Sequence, residues 1–387
     1  MLATLRNDFT AEKVVLAVAL ELSNGSWKMG LSDGRRARPT VVTVSDEQPH
    51  ARLMAAVKVI QEILMKWLLP TDTKVVVMYE AGQDGFWICR ALNAMGYTGL
   101  VIDAASVPVG RQARRAKTDR LDAIMLVNCL RGWLRGEQDC LRVLHIPDEL
   151  AEAERQTLRD RGVLQKEIGQ HHDRMRKLLR TVGCWDEMDR GFAQRLEVGE
   201  VRCYDGSVLP VELKARLLRE CERLALVEEQ FKALTRTQVS QLSEAAQEKV
   251  ASFTKLKAIG DIGAIRITTE LFWRRFDNQK QVGSCVGLVP QPYDSGTMRI
   301  DQGISKQGNR RVRSLLIEMA WMWLRYQPES KLSIWFAEKT NSQAPNKRGR
   351  RVAIVAVARR LAIALWRYIE HGVVPEGAQF KEAKSSS

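Results

Sequence analysis

An unbroken run of apolar residues, Val14 to Leu20, constrains this 387-residue chain more than any other stretch. It reads as a buried strand, because a strand with one wet face would alternate apolar and polar residues. Glu21 ends the run, and Ser23-Asn24-Gly25 supplies a turn. Trp27 to Leu31 and Val41 to Val44 read as two more short strands. From Ala51 to Leu68 the apolar residues Leu53, Ala56, Val57, Ile60, Ile63, Leu64 and Trp67 recur at helical spacing, and Pro70 stops the pattern. Val75 to Tyr79 is another buried strand, ending in Glu80. Gly82 and Gly85 lead into a helix from Phe86 to Met95, with Gly96 as its C-cap candidate. Leu100 to Ile102 makes a fifth strand, and after a basic loop a helix opens at Asp119 and runs to Leu130.

Three strands in an antiparallel meander, with helical crossovers placing two more strands parallel beside them, have the element order of a ribonuclease-H-like fold. Acids at strand ends and on the following helix can converge in such a sheet, and Glu21, Glu80, Asp119 and Asp122 occupy those places. Asp119 and Asp122, three apart, share one helix face within Lys117-Thr118-Asp119-Arg120-Leu121-Asp122-Ala123. Hard oxygen ligands suit Mg2+ or Mn2+. The competing account of the pair is a helix start whose acids the dipole favours. Arg111, Arg114, Arg115, Lys117 and Arg120 surround it. Acids to hold metal among bases to hold phosphate point to phosphoryl transfer on nucleic acid.

The net charge of +14 and isoelectric point of about 9.6 favour a polyanionic partner without separating DNA, RNA and anionic membrane. Seven cysteines with no Cys-x-x-Cys argue against a disulfide framework and for a reducing compartment. His171 and His172 read as part of a solvated helix face rather than a zinc site. No signal peptide is visible, and the apolar stretch Val352 to Ile369 is broken by Arg359 and Arg360, so the expectation is a soluble, cytoplasmic protein with no membrane partner.

From Pro147 to about Thr181 the chain is charged and helical, with Leu150, Leu164, Ile168, Met175 and Leu178 near a heptad seam that Arg161 and His171 interrupt. Leu213 to Val239 gives a second long helix. The two suggest a coiled coil that dimerises or an intramolecular pair. Asp186 to Pro210 reads as irregular. Further on, Ile259-Gly260-Asp261-Ile262-Gly263 resembles a helix-hairpin-helix turn able to meet a phosphate, with a plain helix–helix turn as the alternative. Val286-Gly287-Leu288-Val289-Pro290, Tyr293-Asp294-Ser295-Gly296 and Gly303-Ile304-Ser305-Lys306-Gln307-Gly308-Asn309 follow as loop-like blocks. Arg310, Arg311 and Arg313 open a tryptophan-rich helix, and Lys347-Arg348-Gly349-Arg350-Arg351 feeds the last one.

These blocks, in this order, resemble the DEDD transposases of the Piv/MooV type, the insertion-sequence family numbered one-hundred-and-ten, over nearly the whole chain. Tyr79-Glu80-Ala81-Gly82, Lys117 to Ala123, Gly287 to Pro290, Ser295-Gly296 and Gly303 to Asn309 carry the resemblance. It implies a RuvC-like mixed sheet with helices at 9–145, a helical, coiled-coil assembly segment at 146–250, a mostly helical transposase domain with a catalytic serine at 251–374, and a disordered tail at 375–387. It implies Mg2+ or Mn2+ held by Glu21, Glu80, Asp119 and Asp122. Ser295 matches the nucleophile, with Ser305 second to it. Arg114, Arg115, Lys117, Lys306, Arg310, Arg311, Arg313, Lys347, Arg348, Arg350 and Arg351 are the expected nucleic-acid contacts. Double-stranded DNA of element ends and target, a structured guide RNA and a homo-oligomer, dimer or tetramer, are the implied partners. The family's first acid is an Asp in a strand ending Asp-x-Ser, whereas this chain has Glu21-Leu22-Ser23. A RuvC-like nuclease acting on branched DNA with water as nucleophile, and a non-catalytic nucleic-acid-binding relative, are the competing functions. The serine block separates them from a recombinase.

Overall fold

The computed structural model describes residues 14–107, 118–137, 141–295, 298–342 and 347–382. β1 (Val15–Leu22) is the middle strand of five, and its residues Leu16 to Leu20 are each at most 1% exposed. It pairs antiparallel with β2 (Ser26–Ser32), which pairs antiparallel with β3 (Thr40–Ser45). On its other side β1 runs parallel to β4 (Lys74–Glu80), itself parallel to β5 (Thr98–Ile102). The order β3-β2-β1-β4-β5 is the ribonuclease-H-like arrangement that the element order predicts.

The alternation of side chains along β1 sorts its residues onto two different covers. Leu16, Val18 and Leu20 pack with α1 (Pro49–Lys66) and α2 (Trp87–Ala94), through Leu53, Ile60, Ile88 and Leu92 among others. Ala17 and Ala19 face α3 (Asp119–Leu134), through Leu126, Val127 and Leu130. Small residues on that face let α3 lie close. It lies closest at Gly30, where an added Cβ would stand 2.5 Å from the Ala123 carbonyl oxygen. Gly96, with φ +86°, ends α2 as its sequence suggested.

The chain divides into two compact units, 1–146 and 147–387. In the second, α4 (Glu149–Arg180) starts on Asp148, whose carboxylate accepts from the Ala151 N–H at 2.7 Å. It pairs antiparallel, within the one chain, with α6 (Val211–Thr237): Met175 meets Cys221, His171 meets Glu220, and Arg161 meets Thr235. Between them, the stretch that reads as irregular holds the short helix α5 (Phe192–Glu197), and a small core of Met175, Leu179, Phe192, Leu196, Val201, Leu209 and Leu217 fills this end of the pair.

His171 departs from the solvated face expected of it. It is 7% exposed, with Nδ1 2.7 Å from Glu220 Oε2, while Glu220 also accepts from Arg174 Nε at 3.1 Å and Arg223 at 3.3 Å. The helix pairing turns that side inward, and the carboxylate is what makes a polar ring tolerable there. Burial opposes the Glu220 charge, yet its hydrogen bonds with His171 and Arg174 leave its carboxyl below the usual range. A carboxyl held low in the fold stabilises it fully above the unfolded-state pKa of about 4.3, and that stabilisation is lost as pH falls through the folded value. Amide protection factors in α4 and α6, corrected for the intrinsic exchange rate, should therefore fall below about pH 4 in the wild type and stay flatter in Glu220→Gln, which should cost about 1–3 kcal/mol at pH 7.

A second core gathers α7 (Glu244–Lys255), α8 (Asp261–Glu270), α9 (Gln279–Cys285), α10 (Arg310–Tyr326), α11 (Lys331–Ser342) and α12 (Lys347–His371) around Phe253, Phe272, Leu316, Trp323, Val357 and Leu361. The strands β6 (Pro290–Ser295) and β7 (Met298–Ile304) form an antiparallel hairpin. The segment expected to be a loose tail from Pro375 is tied down as far as Lys381, whose N donates to Lys255 O at 2.8 Å. Phe380 bridges to Leu256, Lys257 N donates to Gln379 O at 3.0 Å, and Lys331 N donates to Glu376 O at 3.1 Å. Gln327, fully buried, donates to the carbonyls of Lys257 and Gln379 at 2.9 Å each and accepts from Gln379 N at 2.7 Å. One buried amide matched to backbone leaves no apolar periodicity in sequence. Residues 383–387 lie outside the described residues.

Candidate functional site

Four acids come from three elements of the first unit. Leu20 pairs with Tyr79 in the parallel register, so Glu21 and Glu80 follow side by side at the same ends of β1 and β4. Each lies two residues beyond a side chain that packs on α3, Ala19 and Met78, and so falls on the α3 face. The helix direction supplies the other two. Ala123 sits over Gly30, and farther along α3 Arg131 Nη2 donates to Gly34 O at 3.3 Å. The helix therefore runs along β2 and against β1, and its first turn, with Asp119 and Asp122, points to the end of the sheet where Glu21 lies opposite Lys28. Thr118 fixes that turn by accepting from Leu121 N. Glu21, Glu80 and Asp122 are half-buried and Asp119 is exposed.

All four donors are carboxylates, which suits a hard divalent cation. Among the described residues, however, no group of three or more Asp, Glu, His or Cys side chains stands ready to hold a metal ion. The backbone brings the four residues toward one end of the sheet, on the face that α3 covers.

The loops beside these acids are held by residues that the sequence did not single out. Arg52, 3% exposed on α1, donates to the carbonyls of Ser23 and Asn24 at 3.0 and 2.8 Å, clamping the turn just past Glu21. Gln83, past Glu80, donates to Asn24 Oδ1 at 2.6 Å, and the fully buried Tyr79 donates its hydroxyl to Gly85 O at 3.0 Å. The two acid-bearing strand ends are thus stitched to each other. Asp103, one residue beyond β5, is spent on capping Ala105 N and on Arg142 at 3.7 Å.

In the second unit, Ser295 is the last residue of β6, paired with Met298 across the hairpin. Its sequence, with two prolines and no clean alternation, reads as loop, and cross-strand pairing makes it a strand. The hairpin base is anchored backbone to backbone: Ser305 N donates to Val289 O at 2.9 Å, Lys306 N to Gly287 O at 3.2 Å, and Asn309 N to Cys285 O at 3.1 Å. Gly287, at φ +65°, is required there, because a Cβ would fall on the Gln307 carbonyl. Two of the blocks read separately in sequence are therefore one packed junction.

Lys306, Arg310 and Arg311 are exposed around the start of α10, and Arg313 donates to Val286 O at 3.4 Å. Lys347, Arg348, Arg350 and Arg351 are exposed too, but inside the first turns of α12 rather than before it. Neither helix has an acid in its first turn, so cations meet the positive end of the dipole, an arrangement that an anion relieves. At the Gly260 turn the first helical residue is Asp261, an acid that the helix dipole favours and that would repel a phosphate there. Arg114, Arg115 and Lys117 lie outside the described residues. Among the described residues no helix is long and apolar enough to cross a membrane.

Two family models match the chain: one described as a DEDD transposase over residues 46–183, which takes in Glu80, Asp119 and Asp122, and one described as transposase IS116/IS110/IS902 family over 250–333, which takes in Ser295. The protein named "Putative transposase y4rJ" of Sinorhizobium fredii is 37% identical over 379 residues, 94% of each chain. The transposase for insertion sequence element IS1111A of Coxiella burnetii is 29% identical over 156 residues, 40% of this chain and 39% of that one. The transposase for insertion sequence element IS1533 of Leptospira borgpetersenii is 30% identical over 122 residues, 32% of each.

Proposed function

Because the chain belongs to the IS116/IS110/IS902 family of transposases, we propose that it cuts and rejoins the DNA of its own insertion sequence through a phosphoserine intermediate made by Ser295. The reading rests above all on where the backbone puts four acids, Glu21, Glu80, Asp119 and Asp122, toward one end of the sheet on the face that α3 covers. These residues would hold Mg2+ or Mn2+, their side chains drawing in on the cation. A bound ion there supplies electrophilic polarisation of the scissile phosphate. Arg52 and Gln83 keep the strand ends from shifting as the carboxylates close. Ser295 Oγ forms the new bond to phosphorus, the bond from phosphorus to one sugar oxygen breaks, and the serine proton ends on that oxygen. The ester conserves the bond energy for rejoining. Ser295 and the acids belong to different units, so they meet either within one chain or between two subunits of a homo-oligomer.

The cations of α10 and α12, with Lys306, hold phosphates without reading bases. With a net charge of +14 they suit both the duplex ends and a structured RNA carried by the element, which would select donor and target by pairing. Replacing any two of Lys306, Arg310, Lys347 and Arg350 by glutamine should weaken binding evenly across DNA sequences and reduce the slope of log affinity against log salt by about 1–2. A changed sequence preference at an unchanged slope would refute the backbone-contact role. The direct test of function incubates full-length protein, Mg2+ and the co-purified RNA with element-end DNA. A detergent-resistant protein–DNA adduct supports the recombinase, whereas nicking without any adduct favours a nuclease that uses water.

A further inference from the structure

Elements far apart in sequence meet on one carboxylate of the second unit. Glu270, the last residue of α8, is 6% exposed. Arg159 of α4 grips it with two parallel bonds, Nε to Oε1 at 3.0 Å and Nη2 to Oε2 at 3.2 Å. Asn309 donates Nδ2 to Oε2 at 2.9 Å, and Arg311 stands 3.9 Å from Oε1. The other end of the same Asn309 amide accepts from Arg311 N at 2.9 Å and Val312 N at 3.3 Å, capping α10. Burial opposes the Glu270 charge, but the bonds from Arg159 and Asn309 hold its carboxyl below the usual range. A buried carboxylate with both oxygens in use is costly to build unless the geometry is needed.

We propose that Glu270 is a positioning residue for the Ser295 hairpin, fixing Asn309 and through it the hairpin base, with Arg159 tying that base to the long helix α4. The proposal rests on Ser295 being the nucleophile. From Pro290 to Ser295 the strand spans about 17 Å, so a tilt of about 10° at the base moves the serine end by roughly 3 Å. Reacting groups need placement to within about half an ångström, which makes the base the sensitive point. A two-bond guanidinium–carboxylate contact fixes a plane as well as a distance, which a single bond cannot do. The Asn309 amide is shared by the cap of α10 and the carboxylate. It passes the orientation on to a loop whose own backbone bonds, to Cys285, Gly287 and Val289, hold the two strands.

The test exchanges donor and acceptor in the full-length protein with its RNA and element-end DNA. Asn309→Asp keeps an oxygen to cap α10 but sets its second oxygen against Glu270. Adding Glu270→Gln to it supplies an N–H facing that oxygen, at the cost of the Arg159 Nη2 bond to the same atom, while the Nε bond to Oε1 remains. Adduct formation in a single turnover should slow about tenfold or more in N309D and recover to within about threefold of wild type in the double variant. DNA affinity should stay near wild type in both, and because N309D sets two carboxylates together and should melt lower, rates are compared at a temperature at which both variants are folded. Arg159→Lys, which keeps the charge and loses the second bond, should slow the same step by about threefold or more without changing affinity. An unchanged rate in N309D and R159K overturns the proposal, as does a loss in N309D that tracks melting temperature and is not rescued by E270Q. Ser295→Ala run alongside separates the two ideas: an adduct that persists there refutes the nucleophile and the clamp with it, whereas its disappearance with N309D at full rate refutes the clamp alone.

Discussion

Ser295→Ala is expected to abolish the covalent protein–DNA adduct while leaving folding and DNA binding intact. Removing the attacking oxygen of a serine hydrolase costs on the order of a millionfold in turnover, and no neighbouring group restores it. The substitution takes one oxygen from the last residue of a strand whose pairing is made by backbone, so the hairpin should survive it. Denaturing gels with labelled element-end DNA report the adduct, and gel shifts report binding. Persistence of the adduct would move the role to Ser305, bonded through its own backbone to Val289. Mixing Ser295→Ala protein with Asp119→Asn protein carries the second answer. Partial activity returns only if one subunit's serine serves another's acids, and a dead mixture places both in one chain.

Asp119→Asn should lower strand cleavage by more than about a hundredfold, since even the partners that merely orient metal ligands are worth 10- to 100-fold. The fold should hold, because Asp119 is exposed and Thr118 retains the helix cap. Metal titration by calorimetry and cleavage at saturating Mn2+ check the two halves of this expectation. Full cleavage by the variant would remove the acid from the chemistry. Glu21→Asp is the complementary case. The chain carries the longer acid where the family pattern has aspartate, and shortening it should preserve or raise activity if the position is a ligand. Loss of activity in a folded Glu21→Asp protein would show a site adjusted to the longer side chain, with the Arg52-held turn as the evident means of adjustment.

The sheet was legible because its signal is local. Val14 to Leu20 and Val75 to Tyr79 are apolar throughout since both strands are covered on both faces, and the acids closing them are single breaks in an otherwise uniform pattern. The start of α3 was legible too, from the two acids of its first turn. What stayed hidden is long-range. Arg52 lies in a helix with an ordinary apolar stripe, and nothing nearby announces that its guanidinium enters the interior to meet carbonyls 28 and 29 residues earlier. Arg159, Glu270 and Asn309 are separated by 111 and 39 residues, so their charges look like solvated surface. His171 reads as an interruption of a heptad seam until Glu220, 49 residues on, explains it. The hairpin ending in Ser295 has a poor strand sequence and owes its form to its partner strand and to the Gly287 junction.

The stitch between Leu256–Lys257 and Gln379–Phe380, with Gln327 at its centre, bears on when the enzyme can come into being on the ribosome. Domains fold as they emerge, N-terminal first. The sheet with its four acids is complete within the first 146 residues and can form early in synthesis. The second unit waits for Gln379 and Phe380, which leave the ribosome long after the sheet. A nascent or truncated chain therefore carries finished acids long before it carries a finished serine hairpin, and a premature stop a few codons upstream of Gln379 would yield a protein that still folds its sheet while its second unit stays open.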